Sequence, residues 1–506
     1  MNQNQGPSKK SFQAFFATAK GKCIIFSLVV FLSIVLVLSF LLIVLPFPKT
    51  PNIINSGEEQ KDTAPVNPVV SGDEMRGVYI ASVHNINFPS RPGLSEEELK
   101  KELDEIVSLS AEIGFDTIYF QVRPTADALY CSEVFPSSRF LVSQEGDPLS
   151  FDVLQYLIEQ AAQYQIKVVA WVNPYRITNS SASGQEEALL SLSESNPAKL
   201  HPEWTVFYEG KLYFDPALPQ VRELILKGIE ELCRYDIEGI LYDDYFYPYP
   251  SANVPFDDES SYQQYGNQMS RSDFRRYNVN LLVENTYRRI KEINPDMTFG
   301  VSPSGIWQNA ASDPRGSQTR GLEAYSAVYA DALAWIEGGY IDYISPQIYW
   351  ERGHQVADFS TLVRWWSAQV DGTDVKLYIS HAAYKVSDFP LGAEEIVAQI
   401  RYARAYMGSY GNIQYGFADI KANTEGIKDA LTNLYQEPFL EENTNHAIEG
   451  LSFSRVYDSM RTTANAQFIS CASDPNYPVY LQNTKVGRTK SGFFSYLMPL
   501  DLQQNT

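Results

Sequence analysis

Three textures of apolar and polar residues follow one another along the chain. Residues 23–45 (CIIFSLVVFLSIVLVLSFLLIVL) are apolar and carry no charge, a length sufficient for a helix to cross the hydrocarbon core of a bilayer. Residues 46–74 mix Pro, Asn, Ser, Gly and charges with no sustained period, as a tether does. From Met75 onward, short strand-like runs alternate with stretches of helical period, the sign of parallel β/α architecture.

The strand-like runs are RGVYIASV (76–83), FDTIYFQVRP (115–124), KVVAWVNPYR (167–176), GILYDDYFYPYP (239–250), TFGVSPSG (298–305), DYISPQIYW (342–350), KLYISHAAY (376–384) and IQYGFADI (413–420). A helix is predicted after each. The first starts at Ser95, where Glu98 completes a capping box. The others cover about 151–164, 220–234 (after a long polar insertion), 273–293, 322–337, 359–370, 393–406 and 424–435. Eight such units across residues 75–437 predict an α/β fold of the (β/α)8 TIM-barrel type. A doubly wound open sheet is the alternative, but no GxGxxG follows a strand, which removes its usual dinucleotide-binding form.

Residues 438–506 read differently. The segment 474–500 alternates short apolar runs with turn residues, as antiparallel strands do. It is expected to be the start of a C-terminal β-sandwich module, incomplete because a sandwich needs more strands than fit before Thr506.

Charge then sets the compartment and narrows the partners. Lys9, Lys10, Lys20 and Lys22 precede the apolar span, so the positive-inside rule puts residues 1–22 in the cytoplasm. PFPKTP after the span offers no small-residue cleavage site. The expectation is an uncleaved single-pass anchor in the cell membrane, with everything after residue 45 extracellular. A net charge of −21 argues against nucleic acid. The four cysteines show no CxxC and the five histidines no HExxH, so neither a metal nor a cofactor is predicted.

The chemistry concentrates where the strands end. In GILYDDYFYPYP an apolar strand stops at Asp243 and Asp244, among aromatics and prolines. Charge is costly to bury, so the pair is expected at a strand mouth facing water, substrate or an ion. The other strand ends carry His84, Gln121, Arg123, Asp127, Trp171, Asn173, Tyr175, Arg176, Ser302, Ser304, Trp307, Gln347, Tyr349, Trp350, Glu351, His381 and Tyr384. A barrel's active site lies at these C-terminal ends. Amides, Arg and carboxylates suit sugar hydroxyls, and Trp and Tyr rings suit sugar C–H faces; Trp171, Tyr245, Trp307 and Trp350 are expected to line one groove with the acidic pair.

Glycosidic cleavage needs two carboxyl groups. Alternation along the strand puts Leu241, Asp243 and Tyr245 on one face and Tyr242 and Asp244 on the other. Asp243 is thus the first catalytic choice, pointing to the barrel axis, with Asp244 orienting its neighbours. The partner must come from another strand. Glu351, in the apolar setting IYWE, is chosen over Asp127, which beside Arg123 would more naturally stay ionised. The alternative for Arg123 and Arg176 is an ion pair that braces loops, His84 and His381 are as readily structural as functional, and Trp365 and Trp366 read as helix core.

Seven stretches together resemble the glycosyl-hydrolase-like family ten, a (β/α)8 family of bacterial envelope proteins. They are RGVYIASVHNINFPSRPGLS, FQVRPTADALY, WVNPYR, GILYDDYFYP, VSPSGIW, PQIYW and HAAYKV. The resemblance covers about residues 74–435. It implies an anchored hydrolase of glycans, similar to enzymes that cut peptidoglycan strands stripped of stem peptides. It also implies Asp243 and Asp244 as the catalytic locus, with Arg123, Asp127, Asn173, Arg176, Gln347 and Tyr349 lining the cleft. Glu351 follows the matched PQIYW and lies outside that motif. The C-terminal piece resembles immunoglobulin-like modules of envelope proteins. The rival readings are a non-catalytic glycan-binding barrel and a metal-dependent polysaccharide deacetylase.

Overall fold

The computed structural model describes residues 74–252, 254–404 and 409–436, with the backbone of five further strands between 452 and 499. In chain order the strands are β1 (Met75–Ile80), β2 (Thr117–Arg123), β3 (Lys167–Val172), β4 (Thr205–Tyr208), β5 (Lys211–Phe214), β6 (Gly239–Tyr242), β7 (Thr298–Val301), β8 (Tyr343–Ile344), β9 (Lys376–Ala382) and β10 (Ser409–Tyr415). Eight of them close a parallel barrel in the order β1-β10-β9-β8-β7-β6-β3-β2. The strands β4 and β5 form an antiparallel hairpin inside the predicted insertion, together with the short helices Gln185–Leu190 and Pro197–Leu200. The expected (β/α)8 barrel is therefore the fold.

Alternation along the strands builds two apolar layers. Tyr79, Tyr119, Val169, Trp171, Leu241, Tyr343 and Ile413 fill the barrel interior. Ile118, Phe120, Val122, Ile240 and Tyr242 point outward, under the helices. Gly300 makes room for this filling, since a Cβ there would lie 2.2 Å from the Tyr343 ring. The helix Glu96–Ile113 begins with the predicted box: Glu98 N–H donates to Ser95 Oγ and Ser95 N–H donates to the Glu98 carboxylate. Asp152, Ser270 and Asp358 cap the helices Val153–Ala162, Arg271–Ile293 and Phe359–Val370 in the same way at one donor.

Two elements differ from expectation. The sixth barrel strand is only Tyr343–Ile344, because Pro346 has no N–H to donate; pairing resumes beyond it as isolated bridges from Gln347 to Ser304 and Ser380. The helix expected over 322–337 is two short pieces, Ala324–Ala327 and Ala332–Gly338. Between them Tyr329 takes a positive φ of 59°. Its ring packs on Tyr247 and its hydroxyl accepts from Arg275 Nη1, so tertiary contacts override local helix propensity there.

Farther on, β11 (Ser452–Phe453), β12 (Ala466–Ala472) and β15 (Phe493–Pro499) form an antiparallel sheet, and β13 (Val479–Leu481) pairs with β14 (Thr484–Val486). The antiparallel strands are thus present, but these five do not define a sandwich. The expected cytoplasmic segment (1–22), anchor (23–45) and most of the tether (46–73) lie outside the described residues. Among the described residues no helix is long and apolar enough to cross a membrane.

Candidate active site

Asp243 is held by a relay of amides that begins at the end of β1. Gln121 Oε1 accepts from the backbone N–H groups of Ser82 and Val83, both at 3.0 Å. Its amide nitrogen must therefore face Asn173, where Nε2 donates to Oδ1 at 2.7 Å. That turns the Asn173 amide nitrogen to Asp243, Nδ2 donating to Oδ2 at 2.8 Å. From the other side Gln347 Nε2 donates to Asp243 Oδ1 at 3.2 Å and to the Ser302 carbonyl at 3.1 Å. The Asp244 N–H adds a donor to Oδ1 at 2.9 Å. Asp243 thus receives three donors, with β3, the β6 end and the loop after β8 each contributing one.

Asp244 was expected on the opposite face. The ladder lasts only until Asp243 N–H donates to Val172 O; the chain then turns, Phe246 N–H donating to Asp244 O. With the strand over, alternation lapses and the two carboxyl groups meet. Burial pushes the Asp244 carboxyl well above the usual carboxylate range, and the adjacent Asp243, by charge and hydrogen bond, pushes it further. Tyr249 OH donates to Asp244 Oδ2 at 2.7 Å and opposes the rise.

Aromatic rings surround the pair. Tyr349 and Tyr415 stack with planes 10° apart, and Tyr384 meets both edge-on. Tyr245 and Tyr249 form a second edge-to-face pair, with the Arg176 guanidinium over Tyr245. Burial and the Asp243 charge push the Tyr415 phenol up to about 12. For Tyr245 the foremost cause of its rise is Asp244, followed by burial. Below Asp243, Tyr79 OH donates to Ser302 Oγ at 3.1 Å and meets Ser380 Oγ at 3.0 Å, a hydroxyl floor built from β1 and the ends of β7 and β9. Trp171 edges onto Tyr79 and Tyr415.

Other sequence-selected residues stand elsewhere. Arg123 follows a register shift between β2 and β3, which turns it outward. Its guanidinium lies 3.9 Å from the Phe135 ring centroid and against Gly228 of the helix Pro219–Leu232. It therefore sits in the layer behind the barrel wall. Asp127 is tied into its own loop, accepting from Thr125 Oγ1 at 2.6 Å, Ser138 Oγ at 2.8 Å and Arg139 N–H at 3.2 Å. Burial raises its pKa, where proximity to Arg123 had suggested an ionised group.

Trp307 is buried, its ring covered by Trp365 and Arg315, so no face is left for a sugar. Trp350 is half-buried over Gly305. Glu351 is half-exposed, and its carbonyl accepts from His354 and Phe359 N–H. The hydrogen bonds that reach Asp243 and Asp244 come from other residues. His381 is enclosed, with Gln399 and Asn412 at its two nitrogens.

Sequence reading passed over Tyr79, Tyr249 and Tyr415, and saw Gln121 without its role. The strand-end position of Tyr415, directly before Gly416, was the available signal. Within the aromatic run, Phe246 and Tyr247 are core while Tyr245 and Tyr249 serve the cleft.

A closed parallel barrel with paired carboxylates, oriented amides and tyrosine rings at its C-terminal mouth has the build of a glycosidase. Residues 74–395 match the model of the family described as Glycosyl hydrolase-like 10. The chain belongs to this family, and its class is that of the glycosidases. It is similar to glycosyl hydrolase YngK of Bacillus subtilis (strain 168), 42% identical over 379 residues, or 73% of each chain. Glycosyl hydrolase DigH of Escherichia coli (strain K12) is 35% identical over 334 residues, 63% of this chain and 75% of its own. Among solved structures, the PgaB (BpsB) glycoside hydrolase domain from Bordetella bronchiseptica matches with TM-score 0.46 and 13% identity, over 72% of this chain and 99% of that one.

Proposed function

We propose that this chain is a membrane-anchored, extracellular glycosidase that cleaves glycosidic bonds in bacterial cell-wall peptidoglycan, including strands stripped of stem peptides. The observation that carries the reading is the acidic pair at the end of β6, with Asp243 fixed by amides and Asp244 holding a proton more tightly than an ordinary carboxyl. The pair supplies the acid–base chemistry, and Glu351 is the carboxylate that a two-carboxylate route would draw from another strand. Gln347 and Arg176 meet sugar hydroxyls and Asn173 orients Asp243 from beneath, while Tyr245, Tyr349 and Tyr415 offer ring faces to the sugar's C–H surfaces. The uncharged span 23–45 and the lysines before it support an anchor that leaves the barrel outside the cell.

The test is incubation of the full chain, in detergent, with intact and with peptide-stripped peptidoglycan, reading released fragments by mass. Muropeptide or glycan fragments released by the wild type and not by Asp243→Asn are the expected outcome. Tight binding of strands without cleavage would turn the reading to a non-catalytic glycan-binding barrel.

A further inference from the structure

Enzymes that use two of their own carboxyl groups hold them about 5–5.5 Å apart for a covalent intermediate, or about 6.5–9.5 Å apart for direct attack by water. Asp243 and Asp244 are consecutive, the Asp244 N–H donates to Asp243 Oδ1 at 2.9 Å and their carboxyl groups interact directly, so they cannot bracket a glycosidic bond in either way. Among the described residues, no further carboxylate has a hydrogen bond to Asp243 or Asp244. The charged groups acting most strongly on Tyr245 and Tyr415, which flank the pair, are Asp243, Asp244 and Arg176. Asp127 is spoken for by three donors within its own loop. Asp243 itself makes a poor nucleophile, because three donors already fix its orientation and leave only one of its roughly four acceptor sites for a further N–H.

Resting on the glycosidase reading above, we propose that the nucleophile belongs to the substrate: the carbonyl oxygen of a 2-acetamido group on the sugar whose bond is cut, with Asp244 as general acid and base and Asp243 holding the acetamido N–H. The sugar bound there is then a 2-acetamido-2-deoxy sugar by chemical necessity. In the first step a lone pair of the acetamido oxygen forms the bond to C1 as the C1–O bond to the leaving sugar breaks. The Asp244 proton goes to the departing oxygen, and Asp243 takes the N–H proton, leaving a neutral oxazoline. In the second step water adds at C1 and gives a proton to Asp244. The oxazoline C–O bond breaks, Asp243 returns its proton to nitrogen, and the anomeric configuration is retained.

The site has the parts this route needs. An acid must hold its proton more tightly than an ordinary carboxyl, and burial and the adjacent Asp243 raise the proton affinity of Asp244, which Tyr249 OH holds in place at 2.7 Å. An N–H acceptor must be rigid, which the Gln121–Asn173 relay and Gln347 arrange for Asp243. The acetamido methyl needs apolar walls, which the stacked Tyr349 and Tyr415 rings supply. Tyr245 remains a phenol beside the pair and is a donor for the carbonyl oxygen.

The experiment compares cleavage of peptide-stripped peptidoglycan strands by the full chain with cleavage of the same strands after chemical N-deacetylation, and after re-acylation with trifluoroacetyl groups. Saturating rates and product anomers are read by mass and NMR. The trifluoroacetamide keeps the shape of the acetamide but weakens its oxygen as a nucleophile. A rate drop of roughly 100-fold or more for N-deacetylated strands is expected, because an oriented intramolecular nucleophile is lost. A drop of more than about tenfold is expected for trifluoroacetylated strands on the same ground, with retention in the product. Equal rates on all three strands, or inversion, would overturn the assisted route while glycoside hydrolysis stood. No cleavage of any strand would bring down both.

Discussion

The loops after β2 and β6 make the same kind of promise in sequence, a carboxylate just past an apolar strand, and meet it in opposite ways. Asp127 is bound by a threonine two residues before it and by Ser138 and Arg139 later in the same loop, so its carboxyl knots the loop to itself. Asp243 is bound across strands by Asn173 and Gln347, and stands against a second carboxyl whose proton affinity is raised. Both carboxyls are almost fully buried, at 1% and 6% exposure, so burial does not separate them. What separates them is where the donors come from. A carboxyl satisfied by its own loop is architecture, whereas one positioned from several strands beside a neighbour of raised proton affinity retains capacity for chemistry.

The largest effects should therefore divide between the two loops. Asp244→Asn is expected to lower turnover by about 10²–10⁴-fold, the usual worth of a positioned acid, with no loss of stability. Asp127→Asn sets an amide N–H₂ against Thr125, Ser138 or Arg139 donors. It is expected to cost about 1–3 kcal/mol of stability while turnover per folded molecule stays near wild type. Parallel denaturation and rate measurements decide. A dead but stable Asp127→Asn protein would erase the distinction.

A pH dependence of stability sharpens the same contrast. The folded-state pKa of Asp244 is raised, so the folded protein binds more protons than the unfolded chain. This contribution is complete below the unfolded carboxyl value of about 3.9 and is lost as pH rises through the folded value. Asp244→Asn removes that loss, and at neutral pH the variant should melt higher than the wild type, with the gap closing on acidification. Melting curves from pH 4 to 8 test this; a gap that widens toward acid would refute the sign.

The barrel was legible because its signal is repeated. Each β/α unit carries a short apolar run and an amphipathic stretch, and errors at single boundaries do not disturb the count. The site was legible at the level of position, since strand ends must carry it. Three things were hidden. The bulge that turns Arg123 outward depends on pairing between β2 and β3, which no single strand announces. Contact between Asp243 and Asp244 depends on where the strand stops, and alternation applies only while it lasts. Trp307 has the same aromatic character as Trp171, and only the packing of Trp365 and Arg315 shows that its faces are taken.

The two arginines extend the comparison at a smaller scale. Arg176 lies over Tyr245 beside the pair and donates from Nε to Pro124 O at 2.9 Å. Arg123 lies behind the barrel wall over the Phe135 ring, with Nε and Nη1 buried and without hydrogen-bond partners. Arg176→Met is expected to weaken strand binding by about tenfold, near 1.4 kcal/mol, chiefly in KM. Arg123→Met should leave kcat and KM unchanged, and it should not lower stability, since an apolar side chain of similar length relieves an unsatisfied buried cation. A kinetic loss from Arg123→Met equal to that from Arg176→Met would place both in the cleft after all.

The smallest effect belongs to the hydrogen bond that opposes the rise of Asp244. Tyr249 OH donates to Asp244 Oδ2 at 2.7 Å and so favours the ionised form. The tyrosine is itself placed by the β4–β5 hairpin: Tyr208 OH donates to Tyr249 O at 3.0 Å and accepts from Ser251 N–H. Tyr249→Phe deletes one donor to the carboxylate and leaves the fold of the loop to Phe246 and Tyr247, which are buried. The Asp244 pKa should then climb further. Because a general acid works only while protonated, the fall of kcat on the alkaline side should move to higher pH, by less than about one unit. Tyr208→Phe keeps the Tyr249 hydroxyl but loosens its backbone, and should move the limb in the same direction by less. A limb that stays fixed in both variants would mean that Asp244 is not the group whose proton is transferred. A shift to lower pH would mean that the tyrosine stabilises the protonated acid instead.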